Sequence, residues 1–247
     1  MRIDLTAKVA LVTGGSSGIG FAIAKQLTEC GAAVAITGRT RDTIDSAASS
    51  IGGGCLPIVA DVTQADEMDA AVQRIGETLG GLHIVVANAG VGANAPLGEI
   101  DDQKFEKVVG TNLKGVLNTV QSALPMLGHG ASIVLMGSTG SFEAPSTMSV
   151  YGATKAGMRA FAKTWIKDIK GRGIRINVVS PGAIDTPSLR DALGSDGDSA
   201  IDALNERSPI GRIGTPEEVA NVVAFFASDS ASYINGEELY VDGGLKV

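Results

Sequence analysis

Tyr151 and Lys155 stand four residues apart in a segment that the sequence predicts to be helical, and Ser138 stands thirteen residues before Tyr151. Positions i and i+4 share one face of a helix, so we expect the Lys155 ammonium to lie near the Tyr151 phenol. A neighbouring positive charge favours the phenolate and lowers the pKa of a tyrosine, which lets the tyrosine exchange protons with an alcohol or alkoxide. The spacing therefore predicts a proton-transfer site, although most short motifs of this kind mark only a helical contact.

A second group of chemistry-bearing residues is the glycine-rich segment 13–20, Thr-Gly-Gly-Ser-Ser-Gly-Ile-Gly, which follows a β-branched run. Glycines at a strand-to-helix turn let the backbone approach a pyrophosphate, whose charge the helix N-terminus stabilises. The segment therefore predicts a nucleotide-binding loop, with an ordinary glycine-rich turn as the alternative. Candidate contacts are Gly14, Ser16, Ser17, Gly18, Ile19 and Gly20.

The same segment also fits the nucleophile elbow of serine hydrolases, with Ser16 as the nucleophile. That elbow lies well inside a chain, whereas Ser16 has only fifteen residues before it. Neither His83 nor His129 follows a convincing acid near the end of the chain. The hydrolase interpretation is therefore disfavoured.

The elements that would position these residues follow an alternating pattern of short β-branched runs and longer helical segments. This pattern is typical of a parallel sheet covered by helices on both faces. We predict an α/β protein with a three-layer, doubly wound Rossmann fold and a seven-stranded parallel sheet. The predicted strands are residues 9–13, 33–37, 56–60, 83–87, 132–136, 175–179 and 238–241. The predicted helices are residues 18–30, 41–51, 64–79, 101–126, 149–170 and 216–227.

One long stretch, residues 181–214, interrupts the pattern with Pro181, Pro187, Pro209 and the polar run 194–199. Loops of this length are commonly lids or disordered segments, so we expect an irregular substrate loop around residues 182–214. A helix should begin at Thr215, because a capping hydroxyl precedes a proline and two acids.

Composition limits the class of protein. The 247 residues are 44% apolar and carry a formal net charge of −7, and α/β folds often reach this length as one domain, so we expect a single domain spanning residues 1–247. Without a concentrated basic surface, neither nucleic acid nor an anionic membrane is expected as a partner.

No apolar run suits a membrane span and no signal peptide is evident, so we expect a cytoplasmic protein. Cys30 and Cys55 lack metal or redox spacing, and two histidines are too few for a metal cluster, so no metal is expected.

With the glycine loop, the Tyr151 and Lys155 pair and Ser138 in place, the chain resembles the short-chain dehydrogenase/reductase family along essentially its full length. The resemblance implies that Asn112, Ser138, Tyr151 and Lys155 are catalytic. It also implies further cofactor contacts: Asp61 and Val62 at the adenine, Asn88, Ala89 and Gly90 at the ribose turn, Pro181, Gly182, Ile184 and Thr186 at the nicotinamide, and Tyr151 and Lys155 themselves. Residues 242–244 resemble the usual C-terminal end of the family.

The resemblance implies an oxidoreductase that interconverts a carbonyl and an alcohol by hydride transfer, with a ketone, aldehyde or 3-oxoacyl compound as the small-molecule substrate. Ser138 and Tyr151 would hold the carbonyl oxygen, and Tyr151 would act as the acid or base. Lys155 would bind the nicotinamide ribose, and Asn112 would hold a relay water. The family usually pairs subunits through the helix of Tyr151, so we expect a homotetramer. A nucleotide sensor without catalysis is the alternative, which the presence of all four catalytic residues disfavours.

The cofactor depends on the end of the second predicted strand. NAD enzymes carry an acid about twenty residues past the glycine loop, which accepts from the ribose 2′-OH. Gly38 stands there instead, and Arg39 follows with a guanidinium that can bind a 2′-phosphate. We expect Asp42 to face away at the start of the next helix. NADP(H) is therefore favoured, and NAD(H) is the alternative because Ser16 and Ser17 stand where many NADP enzymes place a basic residue.

The substrate side is less specific. Residues 127–130 lack the basic residues of many relatives that receive substrates on acyl carrier protein, which weakens a fatty-acid-synthesis assignment. Arg172 with the lysines at 163, 167 and 170 could still form a basic face, or simply a solvated surface. We expect the pocket wall in residues 139–144 and 188–208, and its apolar lining to include Phe142, Met148, Leu189, Leu193, Ile201 and Leu204.

Overall fold

A computed structural model describes residues 3–194 and 197–246. Seven strands form one sheet in the order β3-β2-β1-β4-β5-β6-β7, and every neighbouring pair is parallel. The strands are β1 (Val9–Thr13), β2 (Ala33–Gly38), β3 (Leu56–Val59), β4 (Leu82–Ala87), β5 (Leu127–Met136), β6 (Arg175–Pro181) and β7 (Glu238–Val241).

The α-helices are α1 (Gly18–Glu29), α2 (Arg41–Ile51), α3 (Ala65–Leu79), α4 (Asp102–Val109), α5 (Gly115–Ala123), α6 (Gly140–Glu143), α7 (Ser149–Asp168), α8 (Pro187–Leu193), α9 (Gly197–Arg207) and α10 (Pro216–Ala227). A π-helical turn (Gly110–Lys114) joins α4 to α5, and a 3₁₀ turn (Asp229–Ala231) follows α10. No helix within the described ranges is both long and apolar enough to cross a membrane.

Helices cover both faces of the sheet because successive strand residues point to opposite sides. Ile84 and Val86 of β4 belong to the core that includes Leu27 of α1, Ile44 of α2 and Val223 of α10. Val85 and Ala87 belong to the other core, which includes Ile75 of α3, Val120 of α5 and Met158 of α7. Strands buried on both faces must be apolar throughout, and this explains why their β-branched runs predicted the sheet. The predicted three-layer, doubly wound architecture is confirmed.

The strand order reverses at the centre of the sheet, because β2 and β4 lie on opposite sides of β1. The chain first winds outward to β3 and then returns to build β4 to β7 on the other side. Connections leaving β1 and β4 therefore diverge, and they open a crevice at the carboxyl edge of the sheet. The glycine loop and the residues after β4 lie at this crevice.

The single helix predicted over residues 101–126 is wrong, because the π-helical turn interrupts it. Gly115 follows the turn, and a Cβ there would stand only 2.6 Å from the Val62 Cγ2, so the helix approaches the β3–α3 connection closely. Asn112 is 1% exposed and fixes this turn through hydrogen bonds to another part of the chain. Such long-range bonds override the local helical pattern, and π-helical turns are frequent at functional sites.

The irregular loop predicted over residues 181–214 is also wrong, because it contains α8 and α9. Pro187 occupies the first turn of α8, where its missing N–H costs nothing. Thr186 caps this helix by accepting a hydrogen bond from the Leu189 N–H at 3.1 Å. Ser195 and Asp196, in the polar run of the predicted loop, lie outside the described residues. The helix predicted after Thr215 is confirmed as α10, with the Glu218 carboxylate accepting from the Thr215 N–H at 2.8 Å.

Several of the glycines with positive φ stand at the opposite, amino edge of the sheet, where helices end and strands begin. Gly80, for example, ends α3 with φ 84° and ψ 6°, a left-handed conformation that other residues rarely adopt. The others at these turns are Gly31, Gly52, Gly53, Gly54, Gly171, Gly173 and Gly236.

Candidate active site

A cavity of about 860 Å³ occupies the crevice at the carboxyl edge of the sheet. The site residues predicted from the sequence that line it are Gly14, Ser16, Ser17, Gly18, Ile19, Gly20, Arg39, Asp61, Val62, Asn88, Ala89, Gly90, Ser138, Tyr151, Lys155, Pro181, Gly182 and Thr186. Two of the predicted site residues, Asn112 and Ile184, do not line the cavity. The fold therefore brings residues from seven separate segments of the chain to one cleft.

The glycine loop packs so closely on the turn after β4 that side chains have no room. A Cβ on Gly14 would stand 3.0 Å from the Ala89 Cα, and a Cβ on Gly20 would collide with the Gly14 carbonyl oxygen. Asn88 holds the two segments together, since its Nδ2 donates to the Thr13 carbonyl at 2.9 Å. The Thr13 hydroxyl accepts from the N–H groups of Asn88 and Ala89, each at 3.1 Å. The wall of the cavity at Gly14 and Gly20 is therefore main chain.

The start of α1 provides the anion-binding end of this wall. Its N-cap residue, Ser17, makes no side-chain capping hydrogen bond, so the first N–H groups of the helix are not capped by that hydroxyl. Ser17, Gly18 and Ile19 line the cavity. Uncapped N–H groups together with the positive end of the helix dipole suit a pyrophosphate, so the loop fits the dinucleotide that the sequence predicts.

The adenosine end of the cavity is formed by the end of β2 and the connection after β3. Arg39 is exposed, lines the cavity and makes no ion pair within the described ranges. Arg41 lies outside the lining and pairs with Asp45 at 3.8 Å. Asp42 lies in the first turn of α2 and does not line the cavity, as predicted. A free guanidinium and no acid at the end of β2 form a site that accepts negative charge.

The hydroxyl groups of Ser138 and Tyr151 meet at the other end of the cavity. Ser138 follows β5, where its Oγ accepts from the Gly140 N–H at 3.0 Å. Tyr151 lies in the first turn of α7 and makes a side-chain hydrogen bond with Ser138. A Cβ on Gly140 would stand 3.2 Å from the Tyr151 Cε1, so this glycine lets the phenol approach the end of β5.

Lys155 lies one turn further along α7 and is 7% exposed. Its Nζ donates to the Met136 carbonyl at 2.8 Å and lies 5.8 Å from the centre of the Tyr151 ring. Burial lowers the pKa of Lys155 from 10.5 to about 8. The ammonium therefore remains mostly protonated at neutral pH while it lines the cavity.

The sequence predicted a lowered pKa for Tyr151, and this prediction is wrong for the protein chain without a bound cofactor. Burial raises the pKa of Tyr151 above its usual 10.0, and the hydrogen bond with Ser138 opposes that shift only in part. The physical reason is that desolvation penalises the phenolate, while the Lys155 ammonium donates to a main-chain carbonyl instead of the phenol. Tyr151 therefore carries its phenolic proton at neutral pH.

Asn112 lies behind the cavity and positions the segment after β4. Its Oδ1 accepts from the Val91 N–H at 2.8 Å, and its Nδ2 donates to the Val91 carbonyl at 2.9 Å and to the Thr154 hydroxyl at 3.1 Å. Both amide donors are therefore engaged within the protein. A relay water held by this residue has to use its main-chain carbonyl or the remaining lone pair of Oδ1.

Ile184 lines a second, smaller cavity of about 110 Å³. Residues near it in the chain line the main cavity, but Ile184 itself does not. The predicted apolar wall is correct for Met148, Leu189 and Leu193 but wrong for residues 139–144, including the half-exposed Phe142. It is wrong for Ile201 and Leu204 as well, because neither lines this cavity and Leu204 lines the second, smaller one.

Sequence reasoning missed the segment 91–94, which lines the cavity directly after Gly90. The signal was available in principle, because this segment follows the carboxyl end of β4 beside the point where strand order reverses. It also missed Thr37 and Thr111, which line the cavity, and the Met136 carbonyl, which accepts a hydrogen bond from Lys155. None of the three was singled out as a site residue from the sequence.

The basic face considered around Arg172 is weakened by its contacts. The Arg172 Nη2 donates to the carbonyls of Leu124 and Leu127 at 2.7 and 3.0 Å, at the connection between α5 and β5. The guanidinium therefore stabilises main-chain acceptors of its own fold. Among the described residues no group of three or more His, Cys, Asp or Glu side chains is arranged to hold a metal ion.

Comparison with known proteins agrees with this geometry. The family model described as enoyl-(acyl carrier protein) reductase matches residues 14–246. The oxidoreductase asL5 of Sarocladium schorii is 42% identical over 98% of this chain and 96% of its own length. The 3-oxoacyl-[acyl-carrier-protein] reductase FabG of Thermotoga maritima is 35% identical over the whole of both chains.

Solved structures give the same result. A short-chain dehydrogenase/reductase of Brucella melitensis, described as a glucose/ribitol dehydrogenase, superposes with a TM-score of 0.94 at 31% identity over all of both chains. A gluconate 5-dehydrogenase of Burkholderia cenocepacia, solved with NADP and tartrate, superposes with a TM-score of 0.92 at 32% identity over 99% of this chain and 97% of that one. The chain belongs to the short-chain dehydrogenase/reductase family. It is an oxidoreductase that acts on a carbonyl or alcohol group with a nicotinamide cofactor.

Replacing Gly20 by alanine should weaken cofactor binding, because the new Cβ would push the Gly14 carbonyl and distort the loop. We expect a loss of at least about tenfold in affinity for NADPH, corresponding to about 1.4 kcal/mol, in a fluorescence titration. Gly128→Ala is the matched control, since nothing lies within 4 Å of a Cβ at that position. Equal affinity of both variants would contradict the close-packing argument.

The buried ammonium of Lys155 should make stability depend on pH. Its pKa is about 8 in the folded chain and near 10.5 when solvated, so the unfolded state binds more protons between these values and stability rises with pH there. Relative to Lys155→Met, we expect the free energy of unfolding of the wild type to increase by about 2 kcal/mol between pH ~8 and ~10. Urea unfolding without cofactor measures this difference, and parallel pH profiles of the two proteins would refute the burial of a titrating ammonium.

Proposed function

We propose that this protein is an NADP(H)-dependent oxidoreductase of the cytoplasm that interconverts a ketone or aldehyde and an alcohol, with Tyr151 as the acid and base. One observation carries the proposal. The hydroxyls of Ser138 and Tyr151 and the ammonium of Lys155 line one end of a cavity whose other end is lined by the glycine loop and Arg39. A dinucleotide that spans such a cavity brings its reactive end to the hydroxyl pair.

The two hydroxyl groups form the oxygen-binding part of the site. A substrate carbonyl oxygen accepts hydrogen bonds from Ser138 and Tyr151, which stabilise the negative charge that develops on it. The nicotinamide, when bound, supplies or accepts the hydride. In the reducing direction Tyr151 enters protonated, because burial raises its pKa, and it transfers its phenolic proton to the forming alkoxide.

Lys155 supports the tyrosinate that this proton transfer leaves behind. Its positive charge, 5.8 Å from the centre of the Tyr151 ring, stabilises the phenolate more than the neutral phenol. By resemblance to the family, the same ammonium binds the nicotinamide ribose, and its position on the cavity lining suits that contact. Asn112 holds the segment after β4 in place beside them.

Tyr151→Phe should abolish turnover and leave NADPH affinity largely unchanged, because it removes one hydroxyl and little volume. A general acid contributes roughly 10² to 10⁴ in rate, so kcat should fall by at least about 10². Tyr233→Phe is the matched control, since that side chain is fully exposed. Stopped-flow or steady-state absorbance of the nicotinamide measures kcat, and a Tyr151→Phe enzyme with more than about a tenth of wild-type kcat would refute the role.

The choice of NADP(H) rests on Arg39. Its exposed guanidinium stands free at the adenosine end, and no acidic residue follows β2 within the cavity lining. Gly38 also lines the cavity, and a Cβ there would stand 3.1 Å from the Ile44 Cδ1 and 3.6 Å from the Ser16 hydroxyl, so no side chain separates Arg39 from Ser16. A 2′-phosphate beside Arg39 gains a charge-assisted hydrogen bond, whereas a 2′-hydroxyl finds no acid at the end of β2.

Arg39→Ala should remove most of the preference for NADPH over NADH. A hydrogen-bonded ionic contact of about 1.5 to 3 kcal/mol corresponds to roughly 10- to 150-fold in affinity. Arg41→Ala is the control, because Arg41 lies outside the cavity and pairs with Asp45. The ratio of kcat/KM for the two cofactors is the readout, and a wild type that uses NADH at least as well would replace this proposal with the NAD(H) alternative.

We also propose a homotetramer, because α7 carries a face of small residues that lets another helix approach. Ala153 and Ala160 are exposed on this helix, and Gly157 is partly exposed. Light scattering at micromolar concentration should give four times the chain mass of 25.1 kDa, and Ala160→Glu should lower it. A wild-type mass of one chain would contradict the assembly.

A further inference from the structure

Three segments of the cavity lining form a compartment beside the catalytic residues and contain none of the assigned cofactor contacts. They are residues 91–94 after β4, Met148 before Tyr151, and one side of α8. The Ala95 N–H donates to the Thr147 carbonyl at 2.8 Å, which joins the first segment to the second. We propose that this compartment selects uncharged, predominantly apolar carbonyl compounds and discriminates against carboxylates, an inference that rests on the proposed oxidoreductase function.

The charges on the lining support this selection. The cavity-lining residues with charged side chains, among those the structure describes, are Arg39, Asp61 and Lys155. Arg39 and Asp61 follow β2 and β3 at the adenosine end, and Lys155 is held by the Met136 carbonyl beside Tyr151. The compartment itself therefore offers a substrate carboxylate no cationic partner.

Helix α8 belongs to residues 182–214, the segment called the lid below, and presents its apolar side to the cavity. Leu189, Ala192 and Leu193 have the i, i+3, i+4 spacing of one helix face, and all three line the cleft. Arg190 and Asp191 lie between them in sequence, are exposed and stay outside the lining. The charged residues of α8 therefore face away from the substrate.

Every arginine of the lid segment 182–214 is already neutralised by a carboxylate. Arg190 is bound in a bidentate manner by Asp185, with both contacts at 2.7 Å. Arg207 pairs with Glu143 at 2.7 Å, and Arg212 pairs with Glu218 at 2.6 Å. No lysine occurs in this segment, so it offers the cavity no unpaired cation.

The lid also carries an excess of negative charge. The described residues of 182–214 contain five acidic residues and three arginines, which gives a formal charge of −2. A like-charged lid repels an approaching anion and raises the cost of removing a carboxylate from water. A neutral substrate meets neither penalty.

Two uncharged polar side chains complete the compartment. Asn94 and Ser188 line the cavity, and neither side chain has a hydrogen-bond partner within the described part of the chain. They can form hydrogen bonds with a hydroxyl, amide or ester oxygen of the substrate, and such bonds require no charge on the substrate. The favoured substrate is therefore an apolar ketone or aldehyde that carries at most a neutral polar group.

A matched pair of substrates tests this selection: a medium-chain oxo acid and its methyl ester, which share the reacting ketone and differ in charge. With NADPH and the wild-type enzyme, we expect kcat/KM for the ester to exceed that for the acid by about a hundredfold, because the carboxylate loses hydration without gaining a partner. Quenching of NADPH fluorescence in the ternary complex measures the affinity for each compound independently of turnover.

Leu189→Arg introduces a cation on the cavity side of α8 and should reduce the ester-to-acid ratio at least tenfold. Ala203→Arg is the control, since it adds the same charge at an exposed position of α9 outside the lining and should leave the ratio near the wild-type value. Thermal unfolding of both variants checks that they remain folded.

The outcomes separate the inference from the function on which it rests. Equal wild-type efficiency with acid and ester, preference for the acid, or a ratio that Leu189→Arg does not change would overturn the selection and leave the oxidoreductase function intact. Selective binding of the ester without turnover by either NADPH or NADH would support the selection and refute the proposed activity. Absence of both binding and turnover would overturn both.

Discussion

The buried ammonium of Lys155 is the interaction on which the arrangement of the site depends. A cation that is 7% exposed must find acceptors, because its desolvation is not offset by apolar neighbours. The Met136 carbonyl supplies one at the end of β5, and this contact fixes the height of α7 against the sheet. Because Tyr151 lies on the same helix, the position of α7 against the sheet also brings Tyr151 to Ser138. The remaining donors of the ammonium face the cavity, where a ribose hydroxyl would satisfy them.

The sequence predicted those features of the fold that depend on burial of a strand on both faces or on local backbone geometry. The seven strands follow from apolar runs, the glycine loop from the absence of side chains, and the start of α10 from its capping residues. The π-helical turn at Asn112 could not be predicted, because its hydrogen bonds reach Val91 across the fold. The lid helices were missed because Pro187 was interpreted as a breaker, although it begins α8. The direction of the Tyr151 pKa shift was missed because spacing gives proximity and not desolvation.

The two ends of the cavity are built on different principles. At the cofactor end the glycine loop contributes main chain at Gly14 and Gly20, held by Thr13 and Asn88 and closed to side chains by contact distances of about 3 Å or less. At the substrate end the wall is a set of side chains on α8, a helix without a fully buried residue. A backbone wall tolerates little change, whereas side chains on a surface helix can vary without disturbing the core. Family members that share this sheet and loop can therefore differ in substrate while they use related dinucleotides.

The turns at the edge of the sheet opposite the cleft carry several positive-φ glycines, among them Gly52, Gly54 and Gly80. Gly80 stands before the six residues of β4, so roughly 20 Å of strand separates its turn from the residues that line the cavity. Nothing lies within 4 Å of a Cβ at Gly52, Gly54 or Gly80, so these turns project into open space. A fluorophore, a surface tether or an inserted domain attached at this edge is mechanically remote from the reaction centre. The sheet thus separates the edge that carries the candidate active site from the edge at which a label or a domain can be attached.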